Sequence, residues 1–191
     1  MKRRDALSHL TFITGGSLVA SHTFMAGCTP DTPLEAQTGL LNGQQIALLD
    51  EIGDVILPTT PSSPGAKAAR IGEYMNVMVS DCFSELDQEI FMDGLVKLAK
   101  SCDEKYGKDF MQLDDGEKQE FVLMLEEENR NYREIKRTGD PERHYYGLIK
   151  GMTMRGYFSS EIGATQALNH VAVPGRWDAC IPLEPGQKAY S

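Results

Sequence analysis

Residues 84–102, SELDQEIFMDGLVKLAKSC, show most directly how this chain folds. Their apolar residues recur every three or four positions, which is the spacing of one face of an α-helix. The members of this stripe are Phe91, Leu95, Leu98 and Cys102. Ser84, with Asp87 three residues later, is typical of a helix N-cap. The stretch therefore predicts a helix with one buried face.

Two more helices are predicted on the N-terminal side of this stretch. Asn42 and Gln45 have the spacing of a capping box, and Pro58 ends the helix that follows. The next helix begins near Arg70, after a loop at residues 59–66 that contains proline and glycine. The predicted buried faces are Ile46, Leu49, Ile52 and Ile56 in the first helix, and Ile71, Tyr74, Met75 and Met78 in the second.

Two helices are also predicted on the C-terminal side. Asp114 or Asp115 begins the fourth helix, and residues 126–128, three glutamates, form its solvated face. Asp140 and Pro141 have the N-cap and N1 pattern that starts a fifth helix, which runs toward Phe158. The residues expected to face inward are Phe121, Leu125 and Tyr132 in the fourth helix, and Tyr145, Ile149 and Met152 in the fifth.

The fold class follows from these patterns. Alternation typical of strands is almost absent, and beyond Leu168 the sequence becomes irregular, with several prolines and glycines. The prediction is an all-α protein. A single small bundle of about five helices occupies residues 42–191 and ends in an irregular, extended C-terminal segment.

The first 28 residues have the order basic, apolar, small that is typical of an export signal. Arg3 and Arg4 resemble a twin-arginine signal, although a general secretory signal that contains two arginines is an alternative. The apolar stretch at 10–20 is too short to span a bilayer, which needs about 20 residues. Residues 1–28 are therefore predicted to direct the protein to the periplasm.

Residues 25–28, Met-Ala-Gly-Cys, resemble a lipobox, which predicts a lipidated Cys28 and attachment to a membrane. The alternative is cleavage at an ordinary small-residue site, which leaves Cys28 as a plain thiol. Residues 29–41 are predicted to be a flexible tether, because they are polar and contain two prolines.

Charge and missing motifs exclude several classes of function. With 19 basic and 28 acidic residues the net charge is −9, which argues against a nucleic-acid partner. The sequence has no Cys-x-x-Cys pair, no Gly-x-Gly-x-x-Gly loop and no Gly-x-Ser-x-Gly elbow. Beyond the leader it has two histidines, His144 and His170, which lack metal-ligand spacing. No catalytic, cofactor or metal site is predicted, and His144 is expected to be a surface or packing residue.

Three cysteines remain if Cys28 is lipidated: Cys82, Cys102 and Cys180. A helix between Cys82 and Cys102 would separate them by roughly 27 Å, whereas a disulfide needs Cα atoms within about 7 Å. That pairing is therefore disfavoured unless Gly94 breaks the helix. A disulfide from Cys180 to Cys82 or to Cys102 is the prediction, with three free thiols as the alternative.

Two C-terminal blocks, GYFSSEIGATQAL at 156–168 and VPGRWDAC at 173–180, contain the most unusual residues of the chain. Ser160 is expected to cap a short helix through Leu168. Tyrosine, tryptophan and arginine are favoured at the centres of interfaces, so this segment is predicted to contact a partner, or alternatively to close the protein's own core. The predicted interface residues are Gly156, Tyr157, Phe158, Ser160, Glu161, Gly163, Pro174, Gly175, Arg176 and Trp177.

These two blocks, together with Ile56-Leu57-Pro58, Pro64-Gly65-Ala66 and the leader, resemble subunit 3, or gamma, of membrane-associated gluconate 2-dehydrogenase and related FAD-dependent sugar dehydrogenases. The resemblance implies a non-catalytic subunit that helps a GMC-type flavoprotein to mature and exports it. In such complexes the flavoprotein holds the FAD and a cytochrome c subunit takes the electrons. The twin-arginine route carries folded cargo, which suits this role. The alternative is a free-standing periplasmic lipoprotein that binds a sugar or an envelope component.

Overall fold

The structure is a computed structural model that describes residues 39–135, 143–173, 175 and 180–190. The predicted signal, Cys28 and most of the tether lie outside the described residues, as does the Asp140-Pro141 cap. The α-helices are α1 (Gly43–Ile56), α2 (Gly65–Ala68), α3 (Ile71–Asp81), α4 (Glu85–Tyr106), α5 (Asp115–Ile135) and α6 (Tyr145–Ser159). A 3₁₀-helix (Phe110–Gln112) and a π-helix (Gly163–Ala167) complete the set.

The all-α prediction is confirmed for the described part of the chain. It has no strands, and its β-type pairing is limited to two isolated bridges, Thr60 with Ser63 and Asn169 with Tyr190. The six α-helices slightly exceed the predicted five, because α2 is a single additional turn that begins at the end of the predicted loop at 59–66. No helix among the described residues is both long enough and apolar enough to cross a membrane.

The predicted helix starts are formed by side-chain caps. The Asn42 side chain accepts a hydrogen bond from the Gln45 N–H at 2.9 Å, and the Gln45 side-chain oxygen accepts one from the Asn42 N–H at 2.9 Å. Ser84 Oγ accepts from the Asp87 N–H at 3.2 Å. At α5 the cap is Asp114, whose carboxylate accepts from the Glu117 N–H at 2.8 Å. Each cap satisfies a backbone donor that the helix itself leaves open, typically worth about 1 kcal/mol.

Helix α6 lies at the centre of the bundle. It contacts each of the other five α-helices and the π-helix. Its buried residues therefore lie on nearly all sides of the helix: Tyr145, Tyr146, Leu148, Ile149, Met152, Thr153, Gly156 and Tyr157. A helix surrounded by others has no wide polar face. A single apolar stripe therefore predicts the buried residues of α6 less completely than those of α4.

Most of the predicted core residues are buried. Those with no exposed surface are Leu49, Ile52, Ile71, Met75, Phe91, Leu98, Cys102, Phe121, Leu125 and Ile149. Those only partly buried are Ile46, Ile56, Tyr74, Met78 and Tyr132. The core also contains Val79 and Phe110, which the helical stripes did not include.

Gly94 does not break α4, which continues from Glu85 to Tyr106. The glycine instead lets α4 approach α6 closely, because a Cβ at this position would lie 2.2 Å from Cβ of Tyr145. Cys82 ends α3, and Cys102 lies in the last turns of α4. The helix α4 is therefore continuous between them, as predicted, and keeps the two thiols apart.

All three cysteines among the described residues are free thiols. The predicted disulfide from Cys180 to Cys82 or to Cys102 is therefore not formed in this structure. Cys102 is buried, and its Sγ donates a hydrogen bond to the Lys108 carbonyl at 3.4 Å. Burial raises the pKa of the Cys102 thiol, which disfavours the reactive thiolate.

Candidate functional site

The first predicted interface block, at the end of α6, belongs largely to the protein's own core. Gly156 packs against the ring of Tyr74, where a Cβ would lie 2.5 Å from Cδ1. Tyr157 is only 1% exposed. At Gly163 a Cβ would lie 1.9 Å from the Tyr157 carbonyl oxygen. Their surfaces are covered within the chain, which favours the core alternative at these three positions, and a contact with a partner there stays a prediction.

The remaining predicted interface residues have mixed positions. Ser160 Oγ accepts from the Gly163 N–H at 3.0 Å at the start of the helical run 161–167, as expected of a cap in this block. Phe158 is half-buried, whereas Glu161 and Gly175 are exposed. Pro174, Arg176 and Trp177 lie outside the described residues. An interface role for these residues stays a prediction.

Tyr157 also ties α6 to the loop that precedes α2. Its hydroxyl lies 2.5 Å from Ser63 Oγ. Replacing Tyr157 with phenylalanine is expected to lower the free energy of unfolding by about 1 kcal/mol, because Ser63 loses its partner while the ring still fills the core. Urea denaturation measures this change. The control is Tyr74→Phe, since Tyr74 has no side-chain hydrogen bond among the described residues, and an equal loss in both variants would contradict the prediction.

The segment after the π-helix exposes several apolar side chains. Val171, Val173, Ile181, Leu183 and Tyr190 are all exposed, and Leu183 is 86% exposed. The Asn169 N–H donates to the Ala189 carbonyl at 2.8 Å, and Lys188 Nζ donates to the Gln166 carbonyl. These bonds hold the end of the segment beside the π-helix. Exposed apolar side chains on such a segment suit contact with another protein.

An open cleft of about 1120 Å³, the α5–α6 cleft, lies beside α5 and α6. Its lining is rich in arginine. Five basic side chains line the cleft: Arg130, Arg133, Arg143, Lys150 and Arg155. Asn129, His144, Gly147 and Gly151 also line it. This cluster was not predicted from the sequence, because its arginines come from α5, from α6 and from the residue before the α6 N-cap, which meet only in the folded protein.

His144 lies at the start of α6 within the α5–α6 cleft. Its ring packs against those of Tyr132 and Tyr145, with centroid distances of 5.2 and 4.6 Å. Nε2 lies 3.3 Å from a carboxylate oxygen of Glu128, while Nδ1 is buried without a partner. The expectation of a packing residue is confirmed. His170, by contrast, lies exposed beyond the π-helix.

The three glutamates at 126–128 are not simply a solvated face. Glu126 pairs with Lys150 at 2.7 Å, and Glu128 contacts His144, so both join α5 to α6. Glu127 pairs with Arg130 on its own helix at 3.3 Å. Glu127 and Glu128 are exposed, as predicted for a solvated face, whereas Glu126 is half-buried. Among the described residues, no cluster of His, Cys, Asp or Glu could hold a metal ion.

A carboxylate network on α1 was also missed. Glu51 accepts hydrogen bonds from Lys118 at 2.7 Å and from Lys67 at 2.6 Å, and the Lys118 side chain is only 11% exposed. These two lysines lower the pKa of Glu51. Neighbouring Asp50 accepts from the Gly72 N–H at 2.7 Å, yet burial raises its pKa. The network joins α1, α2 and α5 and has a structural role.

The described residues thus define a small helical domain with a centrally packed helix, a cation-rich cleft and an exposed apolar C-terminal segment. Residues 43–175, most of the chain, match the family described as gluconate 2-dehydrogenase subunit 3. The chain belongs to this family, which confirms the resemblance and indicates a subunit of a gluconate dehydrogenase complex. No curated protein and no solved structure gives a significant match.

Proposed function

We propose that this chain is a non-catalytic small subunit of a periplasmic, FAD-dependent sugar or gluconate dehydrogenase complex. It binds a GMC-type flavoprotein, stabilises it and takes it through the export machinery. The observation that carries the proposal is the family match over residues 43–175. The exposed apolar segment at 180–190 supports it, because a subunit needs a surface that its partner can cover.

The division of chemistry between the subunits follows from the same proposal. The flavoprotein would hold the FAD, which would supply the redox chemistry, and a cytochrome c subunit would take the electrons. This chain supplies contact surface and the export signal. Arg3 and Arg4 direct the folded pair across the membrane, and a lipidated Cys28 anchors it on the far side.

Co-expression tests the export and maturation role. The GMC-type flavoprotein of the same complex is produced with and without this chain, and sugar-dependent dye reduction is measured in periplasmic and cytoplasmic fractions. We expect periplasmic activity only when the chain is present. Changing Arg3 and Arg4 to lysine is expected to hold both proteins in the cytoplasm, because the twin-arginine signal depends on this pair.

Three outcomes separate the proposal from its rivals. Unchanged periplasmic activity without the chain would reject the export role. Flavoprotein that is exported despite the lysine pair would show that it carries its own signal. A purified chain that is monomeric and does not bind the flavoprotein would support the free-standing lipoprotein. Cys28→Ala tests the anchor separately and should release activity from the membrane fraction without abolishing it.

A further inference from the structure

We propose that the α5–α6 cleft binds an extended acidic peptide segment of the partner subunit, held by the arginines of the cleft and by the N-terminus of α6. The identity of the partner rests on the proposed function. The chemistry of the ligand rests on the cleft itself.

The distribution of charge gives the first argument. The chain is acidic, with a net charge of −9, yet four of the five arginines in the described residues line this cleft. Arg130 pairs with Glu127 at 3.3 Å, and Arg143 contacts Asp87 at 3.7 Å. Arg133 and Arg155 have no carboxylate within ion-pair distance among the described residues. Two guanidinium groups are therefore open to carboxylates, which they bind with two parallel hydrogen bonds.

The start of α6 gives the second argument. His144 is the N-cap residue, and none of the described side chains accepts from the N–H groups of the first turn. These open donors and the helix dipole favour a negative charge at this end. Arg143, His144 and Gly147 all line the cleft, so the positive end of the helix and the arginines act on the same space.

Two buried polar atoms give the third argument. Asn129 is 5% exposed and the His144 side chain is 8% exposed, and both residues line the cleft. Within the described part of the chain, Asn129 Oδ1 and His144 Nδ1 have no hydrogen-bond partner. A buried polar atom without a partner costs free energy. Both atoms are covered by neighbouring residues, so a bound peptide forms the missing bonds only when these side chains turn toward it.

The length of the cationic surface favours a peptide over a small anion. Arg155 lies ten residues after Tyr145, the first residue of α6, which separates their Cα atoms by about 15 Å, and Arg143 lies just before the helix begins. An extended chain covers this distance with about five residues, whereas a single carboxylate contacts one end only. Gly151 leaves open space along this face, because a Cβ there would meet no atom within 4 Å. Carboxylates Glu126 and Glu134 also face the cleft and limit how much negative charge a ligand can carry.

Fluorescence anisotropy with a labelled hexaglutamate peptide and the full chain tests the ligand chemistry. We expect binding that weakens strongly between about 0.1 M and about 1 M salt, where the screening length falls from about 10 to about 3 Å. Hexalysine should not compete. Free glutarate should compete only weakly; glutarate competing as well as the peptide would show a small-anion site and overturn the proposal. Absence of hexaglutamate binding would overturn it as well.

Variants place the binding in the cleft. Arg133→Glu with Arg155→Glu is expected to weaken hexaglutamate binding at least about tenfold. The control, Lys97→Glu with Lys100→Glu on the exposed face of α4, makes the same change in net charge and should have little effect. Gly151→Trp should also weaken binding, because it fills the cleft without changing charge. Equal losses in the cleft and control variants would contradict the proposal.

The complex distinguishes this inference from the proposed function. The Arg133→Glu and Arg155→Glu chain, checked for an unchanged unfolding curve, should recover less flavoprotein than the α4 control does. Full recovery would overturn the cleft as a partner site. If even the natural chain recovers no flavoprotein while hexaglutamate still binds in the cleft, the proposed function fails and the acidic-peptide site stands for another partner.

Discussion

Replacing Gly94 with alanine is expected to lower the free energy of unfolding by about 3 kcal/mol. The added methyl group would lie 2.2 Å from Cβ of Tyr145, far inside the contact distance of two carbon atoms. Cβ of Tyr145 cannot move by a change of rotamer, so α4 and α6 must separate. Because α6 packs against all five other α-helices, separating α4 from α6 disturbs the centre of the core.

The same substitution at Gly151 is the matched control. Gly151 also lies inside a helix, but a Cβ there meets open space. Gly151→Ala is therefore expected to stabilise the protein by up to about 1 kcal/mol, because alanine favours helix more than glycine does. Guanidinium denaturation of both variants gives the comparison. A Gly94→Ala protein as stable as Gly151→Ala would show that α4 and α6 do not approach as closely as described.

Replacing Glu51 with glutamine is expected to cost about 3 kcal/mol at neutral pH. The change leaves the ammonium group of Lys118, which is largely buried, without its carboxylate partner. Lys67 is more exposed and can turn to water. The control is Glu120→Gln, which removes the partner of Lys105 from an exposed pair and should change stability little. Similar losses in both variants would contradict a special role for the buried pair.

The contribution of Glu51 should depend on pH. Its two lysine partners lower its pKa below the ordinary value of 4.5, so its ionised form is favoured in the folded state. The resulting stabilisation is fully present above about pH 4.5 and is lost as the pH falls through the lower pKa of the folded state. The difference in stability between the natural protein and Glu51→Gln should therefore shrink in acid. A difference that stays constant across this range would exclude the linkage.

Asp50 must be separated from this effect, because burial raises its pKa. A raised carboxylate pKa favours the protonated form in the folded state, so Asp50 contributes stability at low pH that is lost as the pH rises through its folded pKa. The two neighbours therefore act in opposite directions. Comparing each pH point with the Glu51→Gln variant, in which Asp50 is still present, isolates Glu51.

Local signals predicted local structure well. Asn42, Ser84 and the aspartates at 114–115 identify helix starts because each cap depends on residues within one turn. The apolar stripe on α4 correctly predicted its buried residues, because only one face of that helix packs against the core. Gly65 adopts φ +75°, which glycine allows, at the start of α2. The prolines and the glycine of residues 59–66 predict a loop there, so the short helix α2 was not predicted.

Features that depend on tertiary contacts were not predictable in this way. The unusual composition near Tyr157 suggested an interface, but its hydroxyl reaches Ser63 from 94 positions away and its ring is buried. The α5–α6 cleft joins Arg130 and Arg133 to Arg155 across two helices, and spacing within either helix gives no sign of the cluster. Family membership came from motif order, which is independent of side-chain burial.

The bond between Asn169 and Ala189 has a consequence for association with a partner. It joins two points twenty positions apart, so the exposed side chains of Ile181 and Leu183 lie on a closed loop rather than on a free tail. Closing this loop costs conformational entropy, and that cost is met when the chain folds, before any partner binds. When a protein covers Leu183, less of the contact energy is therefore consumed in restricting the chain.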